Sequence, residues 1–281
     1  MMKLTKYGLL AVAAAWILSG CSIRIDASGF DNCRFQEERS ATIPAEGARN
    51  LTVLAGAGTL RIEGRQGLTE VRVKGTACAA TENLVRQIQV RTERNGDAIR
   101  VEADLPAILS GNSPVLDLAL EVPEAMLARI EDSSGDVEVR RIAGAEVRDE
   151  SGNIELIDMT GPVRVEDESG DIEVRNAGGD VVIPRDQSGN IRMLTVKGTV
   201  NIDRDESGEI EIRDVTGNVT IGEDQSGEIM VENVTGSLTI DEDQSGSIQV
   251  RDISGDFTVR HDGSGDIRYE RVGGTVSVPR K

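Results

Sequence analysis

From Ser134 to Val278 apolar and polar residues alternate in short bursts that return on a fixed period. Asp171-Ile172-Glu173-Val174-Arg175 is one such burst. Strict alternation of this kind predicts a strand with one dry face and one wet face. Each burst follows a Ser-Gly pair, whose serines are Ser134, Ser151, Ser169, Ser188, Ser207, Ser226, Ser245 and Ser264. Successive serines lie 17, 18 and then five times 19 residues apart. With each Ser as position zero, position three is Val137 and then Ile154, Ile172, Ile191, Ile210, Ile229, Ile248 and Ile267. Position five holds Val139, Leu156, Val174, Met193, Ile212, Val231, Val250 and Tyr269. A second alternating pair follows at positions twelve and fourteen, as in Val200 and Ile202 or Phe257 and Val259.

A unit this small cannot bury its own apolar face and needs a neighbour stacked on it. Two short strands per 19 residues therefore predict an all-β fold, a parallel β-solenoid (β-helix) with one coil per repeat. Eight coils at a strand spacing of about 4.8 Å would extend about 40 Å. Leucine-rich repeats overlap this period, but they need a Leu-dominated pattern, and here the second half of each unit also alternates as a strand. Gly144, Gly161, Gly179, Gly198, Gly217, Gly236, Gly255 and Gly274 recur at position ten, where a side chain would obstruct a corner. An Asp stands two residues before every repeat Ser, from Asp132 through Asp149, Asp167, Asp186, Asp205, Asp224 and Asp243 to Asp262. Asp-x-Ser-Gly suits a turn whose carboxylate accepts bonds from the backbone N–H groups ahead of it.

Upstream the pattern loosens. Gly56-Ala57-Gly58-Thr59-Leu60-Arg61-Ile62 echoes the Ser-Gly unit, and Val71/Val73, Ile88/Val90, Ile99/Val101 and Leu116 to Val122 alternate. Residues 83–87 suit a brief helix and 105–114 a loop. Terminal repeats of a solenoid are atypical because they cap the core, so 50–131 is expected to form irregular coils continuous with the regular ones of 132–281. The far end, Val278-Pro279-Arg280-Lys281, carries a proline and two cations that blunt an open strand edge. Residues 21–49 lack sustained periodicity and are expected to be a tether.

The first 20 residues read as a signal peptide: Lys3 and Lys6, then an apolar run from Gly8 to Leu18 too short to span a bilayer comfortably. The run ends in Leu18-Ser19-Gly20-Cys21, which resembles the bacterial lipobox. That resemblance implies lipid on Cys21 and anchoring to a membrane by two or more acyl chains. Ser22, in place of Asp, resembles the pattern that permits sorting to a Gram-negative outer membrane. Two cysteines remain, Cys33 and Cys78, and in an exported protein they are expected to form a disulfide.

Composition narrows the partners. The 281 residues carry a formal charge of −18, and loss of Lys3 and Lys6 with the leader takes it to −20 (29 basic against 49 acidic). Such a surface repels nucleic acid and anionic lipid. Aromatics are only 2%, which suits aliphatic columns and leaves few stacking platforms for sugars. On the outward positions, Arg175, Arg213 and Arg251 at position six face Glu173 and Glu211 at position four, a pattern that predicts charge ladders between coils.

A leader, loose strands, Leu118-Ala119-Leu120-Glu121-Val122-Pro123 and then units such as Ser169-Gly170-Asp171-Ile172-Glu173-Val174-Arg175 together resemble the bacterial adhesin-like β-solenoid domain family. The likeness spans about 50–279. It implies a stacked-coil envelope protein, and because the family's members are mostly of unknown function it carries over no catalytic residue.

The aspartate column is the sharpest chemical candidate. Neighbouring carboxylates must be offset either by turn N–H groups or by calcium bridging Asp186, Asp205, Asp224 and Asp243, which offer the oxygen donors calcium prefers. The Gly-Gly-x-Gly-x-Asp nonapeptide of calcium-loaded β-rolls does not occur. Catalysis has little support. His261 is the only histidine and replaces Arg or Glu of other coils, no Cys-His cluster suits zinc, and the repeat serines have no positioned base. The expected function is a non-enzymatic, lipid-anchored envelope protein. Its rigid acidic solenoid would present a strand face or the acidic turn edge to an envelope or extracellular protein or glycan. A polysaccharide-acting β-helix enzyme and a calcium-stabilised spacer are the alternatives.

Overall fold

The computed structural model describes residues 33–107 and 114–279. Its elements begin with β1 (Phe35–Pro44), β2 (Asn50–Ala57), β3 (Leu60–Arg65), β4 (Glu70–Ala79), α1 (Glu82–Gln87), β5 (Gln89–Asn95) and β6 (Ala98–Asp104). They continue with β7 (Val115–Pro123), β8 (Leu127–Ser134), β9 (Val137–Arg140) and β10 (Gly144–Asp149). From there each repeat adds one strand to each of two twelve-stranded sheets. All strand pairs in the repeats are parallel, and equivalent residues lie in register, as Ile191↔Ile210↔Ile229↔Ile248. The chain is a parallel β-solenoid.

The core is the dry space between the sheets. Ile210, Ile212, Val215, Val219 and Ile221 of one coil are all buried, as are their counterparts above and below. A third inward column therefore joins positions three and five, at position eight: Ile142, Met159, Ala177, Val196, Val215, Val234 and Ile253. It is reached through a backbone device. Position seven is left-handed in every repeat, with φ between 53° and 64° from Arg141 to Arg271, so two outward residues precede the next inward one.

Most residues at position seven suit that conformation, since Asp and Asn tolerate it. They also bond between coils: Asn176 Nδ2 donates to Asp158 Oδ1 at 2.8 Å, and Asn233 Nδ2 to Asp214 Oδ1 at 3.0 Å. Arg141, Thr195 and Arg271 are the exceptions, and Thr195, at φ 64°, is the β-branched one. Thr195→Asn is expected to stabilise the protein by about 1 kcal/mol, by relieving strain and extending the amide row. A thermal melt that does not rise would reject this account.

At the irregular end the structure departs from expectation twice. First, Phe35–Pro44, expected within a tether, is strand β1, paired antiparallel with β4. Its apolar residues are Phe35, which is exposed, and then Ala41 and Ile43 after five polar positions, too sparse a pattern to register. Arg39 holds it instead, donating to the carbonyls of Val85 and Ile88 at 2.7 Å each. Second, the coils do not stack in chain order. β2 pairs with both β6 and β8, and β3 with both β7 and β9, so the first coil of the chain lies inside the stack. Outside it, β4 runs antiparallel to β7, and β5 antiparallel to β6. These reversals end the parallel ladder and cover its edge. Helix α1 forms close to where it was expected, with Thr81 Oγ1 accepting from the Leu84 N–H at 3.3 Å.

Candidate functional site

The aspartates before the Ser-Gly corners form the one column of ionisable side chains inside the described solenoid. Asp132, Asp149 and Asp167 are at most 5% exposed, Asp186, Asp205 and Asp224 are 0%, and Asp243 is 1%. They pair residue to residue down the second sheet, Asp149↔Asp167↔Asp186↔Asp205↔Asp224↔Asp243. They occupy in that sheet the place that Val196 and its column hold in the other. The aspartates of the turn edge expected as a binding surface are therefore turned inward and buried.

Burial sets the electrostatics. Desolvation, the largest cause in each case, raises the pKa of Asp132 and Asp186 to about 8, of Asp167 and Asp224 to about 7, and of Asp149 and Asp205 to about 6. Neighbouring aspartates add to the rise, as Asp149 does for Asp132 and Asp205 does for Asp224. The turn N–H groups expected to satisfy them help only in part. The Ser151 N–H donates to Asp149 Oδ1 at 3.2 Å. At Asp186 the N–H groups of Gln187 and Ser188 approach and hold the pKa down, yet neither makes a well-directed hydrogen bond.

Of the four aspartates expected as calcium ligands, all lie in this buried column. Among the described residues no group of three or more His, Cys, Asp or Glu is arranged to hold a metal ion. Cys33 and Cys78 are bonded, with Cα atoms 5.5 Å apart, which fastens the start of β1 to the end of β4. Cys21 lies outside the described residues. His261 stands beside Glu242 on the outer surface.

The wet face of the first sheet carries two charged columns, interrupted at Ile157, Leu194, Met230 and Gln249. Arg140 pairs with Glu155 at 3.0 Å, Arg175 with Glu173 at 2.6 Å and Glu155 at 3.6 Å, and Arg192 with Glu211 at 2.6 Å. Arg213 then bridges Glu211 at 2.7 Å and Glu232 at 3.5 Å, and Arg251 bridges Glu232 at 3.2 Å and Glu270 at 3.7 Å. These are the ladders expected from positions four and six. Each exposed link is worth about 0–1 kcal/mol, so their effect is a patterned surface rather than stability.

Two open depressions lie near the irregular end, each about 620 Å³. One is lined by Asp132, Asp149 and Asp167 with Glu102, Glu131, Arg148 and Arg185. The other is more apolar, with Leu127, Ala145, Pro162 and Val163 between Arg129 and Arg164. Acids of raised pKa beside a concavity are what a general acid would look like. Here the rise continues through Asp186, Asp205 and Asp224, of which none lines that depression, so stacking inside the solenoid causes it.

No protein-family model matches this chain, and no curated protein matches it. Solved structures do. A candidate cell-adhesion protein of Clostridium sporogenes is 12% identical, with a TM-score of 0.33 over 88% of this chain and 100% of its own. A candidate lipid-binding protein of Parabacteroides distasonis is 18% identical, with a TM-score of 0.36 over 86% and 97%. A candidate adhesin of Bacteroides fragilis is 14% identical, with a TM-score of 0.31 over 89% and 100%.

Proposed function

We propose that this chain is a non-enzymatic, lipid-anchored protein of the bacterial cell envelope whose solenoid displays a rigid, repetitive face to a protein or glycan partner. The observation that carries the reading is the wet face of the first sheet. There two columns of mostly glutamates and arginines run from Glu138 and Arg140 to Arg268 and Glu270, interrupted at Ile157, Leu194, Met230 and Gln249, on strands whose register does not break. A partner with complementary repeats would meet the same contact several times, and multiplied weak contacts bind far more tightly than one. The lipobox-like Leu18-Ser19-Gly20-Cys21 supports the anchor.

Each half of the reading has its own test. In a Gram-negative host the full chain should sediment with membranes and carry lipid on its mature N-terminal peptide, whereas Cys21→Ala should shift it to the soluble fraction. An unlipidated, soluble wild type would reject the anchor. For the face, immobilised ectodomain should retain an envelope protein or glycan that the variant Arg140→Glu, Arg175→Glu, Arg213→Glu does not. Equal retention by both would move the binding site elsewhere.

A further inference from the structure

The buried aspartates raise a question that the surface reading leaves untouched: what balances a row of acids inside an apolar core. Asp132, Asp149, Asp167, Asp186, Asp205 and Asp224 stand on consecutive strands in one register. Adjacent strands lie about 4.8 Å apart. The two oxygens of a carboxyl group are about 2.2 Å apart for C–O bonds near 1.23 Å. A hydrogen bond from a carboxylic acid to a carboxylate spans about 2.6 Å. One carboxyl group and one hydrogen bond therefore fill one coil spacing, and the motif can repeat without slack.

The surroundings leave little else to do the balancing. Corner N–H groups one or two residues ahead approach Asp132, Asp167, Asp186, Asp205 and Asp224 and offset part of the rise, but none makes a well-directed bond to either oxygen. The Asp205 and Asp224 carboxyl groups are within hydrogen-bonding reach of each other. Ionised carboxylates only accept, so that contact needs a proton between them. The charged groups that weigh most on the column are themselves acids: the neighbouring aspartates, Asp136, Glu150, Glu168 and Glu206. The arginines on the same strands turn outward and are engaged there, Arg148 with Glu166, Arg185 with Glu206, and Arg204 with Glu206 and Glu223. The sheet opposite presents its buried apolar columns, Ile191, Ile210, Val196 and Val215 among them.

We propose that these aspartates form a single hydrogen-bonded chain of carboxyl groups, in which successive coils share protons that the folded protein retains at neutral pH. The chain makes the coil-to-coil contact sensitive to pH. Each group's folded pKa lies above its unfolded value near 4, so its stabilising effect is complete below about pH 4 and is lost as pH rises through about 6 to about 8. In that window the folding equilibrium falls about tenfold per pH unit for each extra proton the folded state holds.

The test is an infrared spectrum and a denaturant series on the wild-type ectodomain and on Asp186→Asn, Asp205→Asn, Asp224→Asn. Asn has the same shape and both donates and accepts without titrating. The wild type should show a protonated-carboxyl band at pH 7 that weakens in the triple variant, and a denaturation midpoint that falls steadily from about pH 5 to about pH 8. The variant's midpoint should vary less. If the variant does not fold, the wild-type band and its loss towards high pH decide alone. A wild type with no protonated band at pH 7, or with a midpoint unchanged across that range, would overturn the proposal. So would a pH dependence that calcium abolishes and a chelator restores, which would put cations where protons are proposed.

Discussion

Gly208→Ala is expected to destroy the native solenoid. Gly208 is the glycine of a Ser-Gly corner and sits at φ +140°, a conformation L side chains rarely adopt. Space is the larger obstacle. A Cβ there would overlap the carbonyl oxygen of Gly189 in the preceding coil and stand 2.6 Å from its carbonyl carbon. The corners stack as directly as the strands, with Gly189 over Gly170 and Gly227 over Gly208, so the clash cannot be relieved without parting two coils. Backbone opposes it on the far side, and backbone cannot rotate away as a side chain tip can. The cost should exceed about 4–5 kcal/mol, the range of strained or overpacked buried sites. Because each coil contacts only its neighbours, the break should split the array rather than stay local. Gly67→Ala supplies the control. It has φ +73° with nothing within 4 Å, and should lose only about 1–2 kcal/mol. A Gly208→Ala protein with a wild-type melting curve would refute the close-stacked corner.

The second large effect is expected at Ile210. Its side chain is fully buried between Ile191 and Ile229 in the position-three column. Truncation to Ala should leave a cavity that strand spacing prevents from collapsing, at a cost of about 2–5 kcal/mol. The same change at Ile267, only partly buried on the terminal coil, should cost less. Chemical denaturation of the two variants measures the difference. Equal losses would mean that the columns are not continuous.

These expectations could be framed from the repeat itself, because position three and the Ser-Gly pair are both visible as spacing. The aspartates were visible too, but their direction was harder to read. In the short early coils plain alternation already places Asp132 with Ile130, Asp149 with Val147 and Asp167 with Val165 on the inward face. In the 19-residue coils three positions separate Ile202 from Asp205, and simple alternation would point the Asp outward. One extra residue in the strand reverses that parity, and the register shift between Arg164 and Glu166 marks where it enters. Position eight was missed for the same reason, since the left-handed residue before it shifts the alternation by one.

Near the beginning of the described chain, local pattern carried less. Ala57-Gly58-Thr59-Leu60-Arg61-Ile62 was recognisable as a corner and strand, and Gly58 does lie beneath Gly135 in the corner column. That its coil is enclosed by strands arriving 48 to 77 residues later was not recognisable. Nor was the strand character of residues 35–44, whose hold on the protein is Arg39 and a disulfide rather than an apolar stripe.

The amino-acid pattern alone thus determined the coil, its length, its two strands and its glycine corners, because each is a local choice repeated until stacking is the sole way to bury it. Tertiary structure decided which way the acids face and in what order the first coils lie. Both depend on pairings between distant segments and on single-residue bulges, whose consequence appears only when one coil rests on the next.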